Sequence, residues 1–191
     1  GEMMPTGVPI LGDGTHDVGN WEVVMVAGPA DGLYQPTDLE FIPDQEGALW
    51  VTNISDFSIV VIGDAGQSTQ GTVKIRDEFE GGQHFLAKPA ALAFGTNGAF
   101  ATAQQEDGYT QPDTPFDFMG PTLWTSNFSD FTGGHWGHLD MLHNSPLSSG
   151  IAWAGGNAYW IYDGAHRSLT YYDFVDDHGL GGTDHSDGVV Y

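Results

Sequence analysis

Cysteine is absent from this 191-residue chain, and Lys and Arg together number only four. Without thiols there are no disulfides, no zinc ribbon and no thiol catalysis, so any bound metal must take its ligands from His, carboxylate, Met or something less usual. Four bases against 26 acids leave a formal charge of −22, which repels phosphate backbones and anionic lipid surfaces and argues against nucleic acid or membrane as partners. No stretch approaches the roughly 18 consecutive apolar residues of a membrane span. With no basic leader, the chain reads as the mature form, or a fragment, of an exported protein at the cell surface or outside the cell.

Helix signals are also scarce. The 28 Gly and 10 Pro interrupt the chain every few residues, and no long window carries apolar residues at i, i+3, i+4 and i+7. What is present suits short strands, rich in Val, Ile, Trp, Tyr and Phe and bounded by turn residues such as Gly95-Thr96-Asn97-Gly98 and Gly155-Gly156-Asn157. Strands are predicted over Trp21–Val26, Asp38–Phe41, Ala48–Asn53, Ile59–Ile62, Val73–Arg76, Ala91–Phe94, Ala99–Thr102, Ala152–Trp153, Ala158–Tyr162 and Leu169–Phe174.

Overlaying these hairpins gives a repeat. Gln35-Pro36-Thr37-Asp38-Leu39-Glu40-Phe41 matches Lys88-Pro89-Ala90-Ala91-Leu92-Ala93-Phe94, and a third copy runs from Pro146 to Ile151-Ala152-Trp153. The expected fold is all-β: one domain over residues 1–191 of stacked β-hairpins in about three propeller-like units, with little helix and much loop. Three units are fewer than the ~4–8 blades of a closed ring, which leaves either an open stack or pairing with a second copy as a homodimer. Ten residues before the three terminal aromatics stand Asp31, His84 and His143. Such equivalent positions converge in propellers, so His84 and His143 are candidate metal ligands from different repeats.

Seven of the eight His lie from His84 onward, five of them in two compact stretches, His135 to His143 and Asp176 to Gly188. Neutral imidazole is the commonest ligand for copper and zinc, and neighbouring carboxylates can fix its tautomer. Of the 26 acids 19 are Asp, a residue that serves turns and hard cations alike. Asp176, Asp177, Asp184 and Asp187 are calcium candidates, although the order of an EF-hand loop is missing and an Asp capping a Gly-rich turn accounts for the same residues. There is no G-x-S-x-G elbow, H-E-x-x-H pair, phosphate loop or haem-attachment motif, so catalysis has no support from motifs.

Trp136-Gly137-His138 is the one place where a Trp stands two residues before a His. In a Cys-free, acidic, hairpin-rich chain this element resembles the copper-repressible copper-binding surface proteins of methane-oxidising bacteria, the CorA and MopE proteins. The resemblance implies that Trp136 is oxidised to kynurenine and, with two His, binds Cu(I) for copper acquisition, in concert with surface or outer-membrane uptake components. It makes His138 the first imidazole and leaves His143, His166, His178 and His185 for the second, of which His185, in the other cluster, is preferred. The P-x-x-L-A-F hairpins and His84 are also similar to NHL-type propellers, including amidating lyases that carry calcium and zinc. That second resemblance implies a metal-dependent lyase or hydrolase.

Overall fold

A computed structural model describes residues 24–76, 85–108, 120–132 and 137–191. Twelve strands form three four-stranded antiparallel sheets. The first holds β1 (Pro36–Phe41), β2 (Leu49–Asn53), β3 (Ser58–Gly63) and β4 (Gly71–Arg76); the second holds β5 (Pro89–Phe94), β6 (Ala99–Gln104), β7 (Thr122–Thr125) and β8 (His138–Met141). The third holds β9 (Ser148–Gly155), β10 (Ala158–Asp163), β11 (Ser168–Asp173) and β12 (Val189–Val190). Each sheet is a meander with neighbours in chain order, and one short helix, α1 (Phe128–Phe131), follows β7. The all-β class and the three units agree with the expected repeat, and among the described residues the sheets do not close into a ring.

The three repeat copies are the first strands of the three sheets. Gln35, Lys88 and Leu147, each six residues before its terminal aromatic, share a left-handed backbone with φ of 49°, 45° and 59°. A non-glycine residue rarely adopts that conformation, so its recurrence marks one turn used three times to swing the chain into a first strand. The first strand β5 contacts both β1 and β9, and the sheets fan outward from these three toward β4, β8 and β12.

Packing explains the composition of each sheet. The middle sheet is covered on both sides, and β5 and β6 are buried throughout. On one side Leu92, Phe94, Phe100 and Trp124 meet Trp50, Ile59, Val61 and Ile75 of the first sheet. On the other, Ala93, Ala99, Ala101 and Leu123 meet Tyr159, Ile161 and Tyr172 of the third. The alternation of Ala with Phe or Leu in these strands thus sorts small residues to the side where bulky aromatics approach, which keeps the packing dense. Trp50 centres the first interface, with ring centroids 5.6 Å from Phe94, 5.2 Å from Phe100 and 5.1 Å from Phe131, within the range of favourable edge and tilted contacts. The third sheet alternates buried and exposed residues along β10, as a sheet with one face in water must.

Three strands were not expected from sequence: β7, β8 and the two-residue β12. Conversely, Val24–Val26, the described part of the predicted Trp21–Val26 strand, is irregular and exposed. Apolar character there has no ladder partner to make it a strand, whereas β7 and β8 are only four residues each and complete a sheet already formed by β5 and β6.

Candidate metal centre

β8 is the outer edge of the middle sheet, and its pairing with β7 contains a bulge. His138 stands opposite Trp124 and Asp140 opposite Leu123, with the extra residue between them. Cross-strand partners share a face, so the bulge sends His138 and Asp140 to opposite sides of the sheet, where strict alternation would put them on one. His138, 3% exposed, lies on Trp124's side and stacks on Phe85 at 4.1 Å between centroids with 22° between planes.

The segment after β11 docks along the free edge of β8. The His178 amide donates to the Leu139 carbonyl at 3.1 Å and the Gly181 amide to the His138 carbonyl at 3.1 Å. This pins His178 beside His138, and the chain returns seven residues later with His185. The Nε2 atoms of His178 and His138 are 3.1 Å apart and those of His185 and His178 3.2 Å apart. All three nitrogens lie within 4.8 Å of one another, and among the described residues this is the one group of three His or carboxylate side chains so placed.

The tautomer of His178 follows from its other nitrogen. Nδ1 is 2.7 Å from the Gly179 carbonyl oxygen, which can only accept, so Nδ1 carries the hydrogen and Nε2 of the neutral ring presents a lone pair. One in-plane lone pair cannot serve two donors well, yet two further Nε2 atoms stand at hydrogen-bonding distance from it. A shared cation would resolve the crowding. Around a metal with M–N bonds of about 2.0 Å, nitrogens in tetrahedral or trigonal arrangement stand roughly 3.3–3.5 Å apart, close to the spacing here. The Gly179 carbonyl is then an outer partner that orients the ligand.

The sequence candidates divide as follows. His138 and His185 are brought together, and His178, one of the four later His weighed as a second ligand, joins them as the third. His143 stays outside the convergent nitrogens, its ring centroid 6.2 Å from that of His185. His166 is far along the third sheet in a bond with Asp163, Nδ1 to Oδ2 at 2.8 Å. Trp136 and His84 lie outside the described residues, and Asp31, the repeat-equivalent of His84, accepts the Gly28 amide at 2.8 Å. The signal for His178 was present: it shares the Gly-rich stretch with His185, and two ligands from one reversing loop are as accessible as one from each cluster.

The four calcium candidates are exposed and bond within their own loop. Asp177 accepts from the Gly179 amide at 2.9 Å, Asp187 from the Asp176 amide at 3.1 Å, and Asp184 from the Ser186 amide and hydroxyl at 3.1 and 2.6 Å. The Ser186 bonds hold Asp184 below the usual carboxylate range. These are the bonds of Asp capping a turn, and they shape the loop that carries His178 and His185.

Asp140 is different. It is fully buried, its Oδ1 accepts the Met141 amide at 2.6 Å, and its Oδ2 has no partner. Burial pushes its pKa up to about 7 against the Met141 bond, helped by the charges of Asp187, Asp177 and Asp184.

Comparison with known proteins finds no matching protein family and no significantly similar curated protein.

Two outcomes are expected. A Cβ at Gly182 would stand 2.5 Å from His178 Nδ1 and 2.6 Å from its carbonyl oxygen, so Gly182→Ala must displace the ring. It should weaken binding of zinc or copper at least ~10-fold in competition with a colorimetric chelator; unchanged affinity would show that the His178 ring position is immaterial. For Asp140, the folded value of about 7 exceeds the unfolded value of about 3.9. The folded chain therefore keeps a proton that the unfolded chain releases, and stability of the metal-free protein falls as pH rises from about 4 to about 7. In chelator, Asp140→Asn should be more stable than the parent by about 1–3 kcal/mol at pH 8, the gain shrinking toward zero as pH falls to about 4. Urea titrations across this range would measure it, and a pH-independent difference would contradict it.

Proposed function

We propose that the protein binds one copper ion, as Cu(I), through Nε2 of His138, His178 and His185, and that it is a non-catalytic binder serving copper acquisition at the cell surface or outside the cell. The observation that carries this reading is the meeting of three imidazole nitrogens 3.1 and 3.2 Å apart, one of them fixed as a lone-pair donor by the Gly179 carbonyl. Copper is favoured over harder cations because every ligand is a borderline nitrogen and the carboxylates nearby are engaged in the loop. Cu(I) accepts three neutral ligands with no further charge compensation, and in a chain without thiols imidazole is the softest abundant donor. The position of His138 two residues after Trp136 also agrees with the copper-protein resemblance.

A catalytic zinc site uses three His and an open position as well. It requires a general acid or base at the metal. Asp140, the buried carboxylate nearest in sequence to His138, faces the other side of β8 across the bulge, and nothing else on the site favours the lyase or hydrolase reading.

Metal analysis tests the proposal. Protein from its native host should carry one copper per chain, and His138→Ala, His178→Ala and His185→Ala should each lower Cu(I) affinity by at least ~100-fold, with His143→Ala close to the parent. If Trp136 contributes as the resemblance implies, its peptide should be heavier by about 4 Da, the net loss of one carbon and gain of one oxygen on conversion to kynurenine. Zinc alone with no copper, or retention of Cu(I) by the His178 variant, would overturn the assignment.

A further inference from the structure

At the hub of the fan, far along the sheets from β8, the first strands enclose a cleft. Its volume is about 450 Å³, and it is lined by residues of β1, β5 and β9 that include Asp38, Glu40, Phe94, Ile151 and Trp153. Small-molecule sites are typically of this size.

Asp38 and Glu40, at i and i+2 on β1, project to the same side about 7 Å apart. Each caps an edge amide of β5: Asp38 Oδ2 accepts from Leu92 and Glu40 Oε2 from Phe94, both at 2.9 Å. Capping alone does not require charge, since a neutral Asn or Gln offers the same carbonyl. Two like charges side by side are costly unless a cation joins them. Among the described residues the lysine ion pairs run elsewhere, Lys74 to Asp56 and Lys88 to Glu106 and Asp107. Burial raises the pKa of Glu40, against the Phe94 bond and with help from Asp38.

A third polar group lies in the wall behind the cleft. Tyr159 is fully buried and its hydroxyl has no partner; burial first, and the charge of Glu40 after it, raise its pKa. The hydroxyl lies against Gly95, the residue after Phe94, so closely that a Cβ there would collide with it; the same Cβ would come within 3.2 Å of the Trp153 indole. The Trp153 indole N–H donates to the Gly156 carbonyl at 2.9 Å, which fixes the ring while leaving it 43% exposed. All three sheets thus contribute: a carboxylate pair from the first, a small residue from the second, and an indole from the third.

We propose that this cleft binds a small organic ammonium ion, its charge and N–H groups held by Glu40 and Asp38, and its hydrocarbon part by Trp153 and Ile151. An ammonium is the cation of choice here because an aromatic face and aliphatic walls attract its body as well as its charge. A metal ion would find two carboxylates already bound to amides and no third ligand converging on them.

The probe is n-butylammonium chloride, titrated at physiological salt into the full chain while the Trp153 indole N–H resonance is followed by NMR and assigned through Trp153→Phe. A saturable shift is expected, with n-butanol at least ~10-fold weaker. Glu40→Gln keeps an oxygen for the Phe94 amide and should weaken butylammonium by at least ~10-fold, whereas Glu46→Gln, which removes an equal charge from an exposed loop, should not. Asp38→Asn serves the same purpose should the Glu40 variant fail to fold. Equal binding of butanol, a shift insensitive to both carboxylate variants, or displacement of butylammonium by equimolar calcium chloride would each overturn the proposal.

Discussion

Backbone pairing between the free edge of β8 and the segment after β11 is the contact on which the candidate metal centre depends. An edge strand needs partners for its amides and carbonyls, and here the partner is an irregular, Gly-rich segment whose His178 and Gly181 amides reach the Leu139 and His138 carbonyls. That docking closes the edge and sets His178 next to His138 in one stroke. Assembly of the three histidines and edge protection are therefore the same structural event, and the Asp residues of the segment hold the loop in the shape that makes both work.

The bulge in β8 separates two chemistries that sequence proximity would have merged. Its extra residue turns His138 toward Phe85 and Trp124, where a buried imidazole has aromatic support, and turns Asp140 toward the interface with the third sheet, where its carboxylate has one amide and, among the described residues, no cation. A chain of net charge −22 draws cations to its whole surface, so attraction alone cannot select a metal. Selection comes from geometry: nitrogens converge at the rim, whereas carboxylates are dispersed along the loop or face the hub. The two ends of the fan offer a soft-leaning nitrogen site and a carboxylate-and-aromatic cleft, and they share no residue.

Much of the architecture was legible because it repeats. Phe41 and Phe94 end the first strands of two sheets and Trp153 stands two residues before the end of the third, and the Ala and Phe alternation of β5 and β6 suits a sheet covered on both faces. The ends of the sheets were harder to read: β7 and β8 are four residues each, and their strand state comes from neighbours already in place. In the site, composition pointed to the two His clusters, since a Cys-free chain has few other ways to hold a borderline metal, and the copper-protein resemblance singled out His138, with His185 chosen from the other cluster. His178 was passed over in favour of one ligand per cluster, because the reversal that brings it beside His185 depends on Gly179, Gly181 and Gly182 and on backbone bonds to β8, none of which leaves a mark in residue spacing. His143 looked equivalent to its neighbours in sequence, but it follows the end of β8, past the edge where the loop docks.

X-ray absorption at the copper edge tests the central claim most directly, on protein loaded with one equivalent of Cu(I) under reducing conditions. The account predicts three nitrogen scatterers at about 2.0 Å with the outer-shell pattern of imidazole rings, reduced to two imidazoles in His178→Ala. A first shell dominated by oxygen, or a spectrum that His178→Ala leaves unchanged, would contradict it.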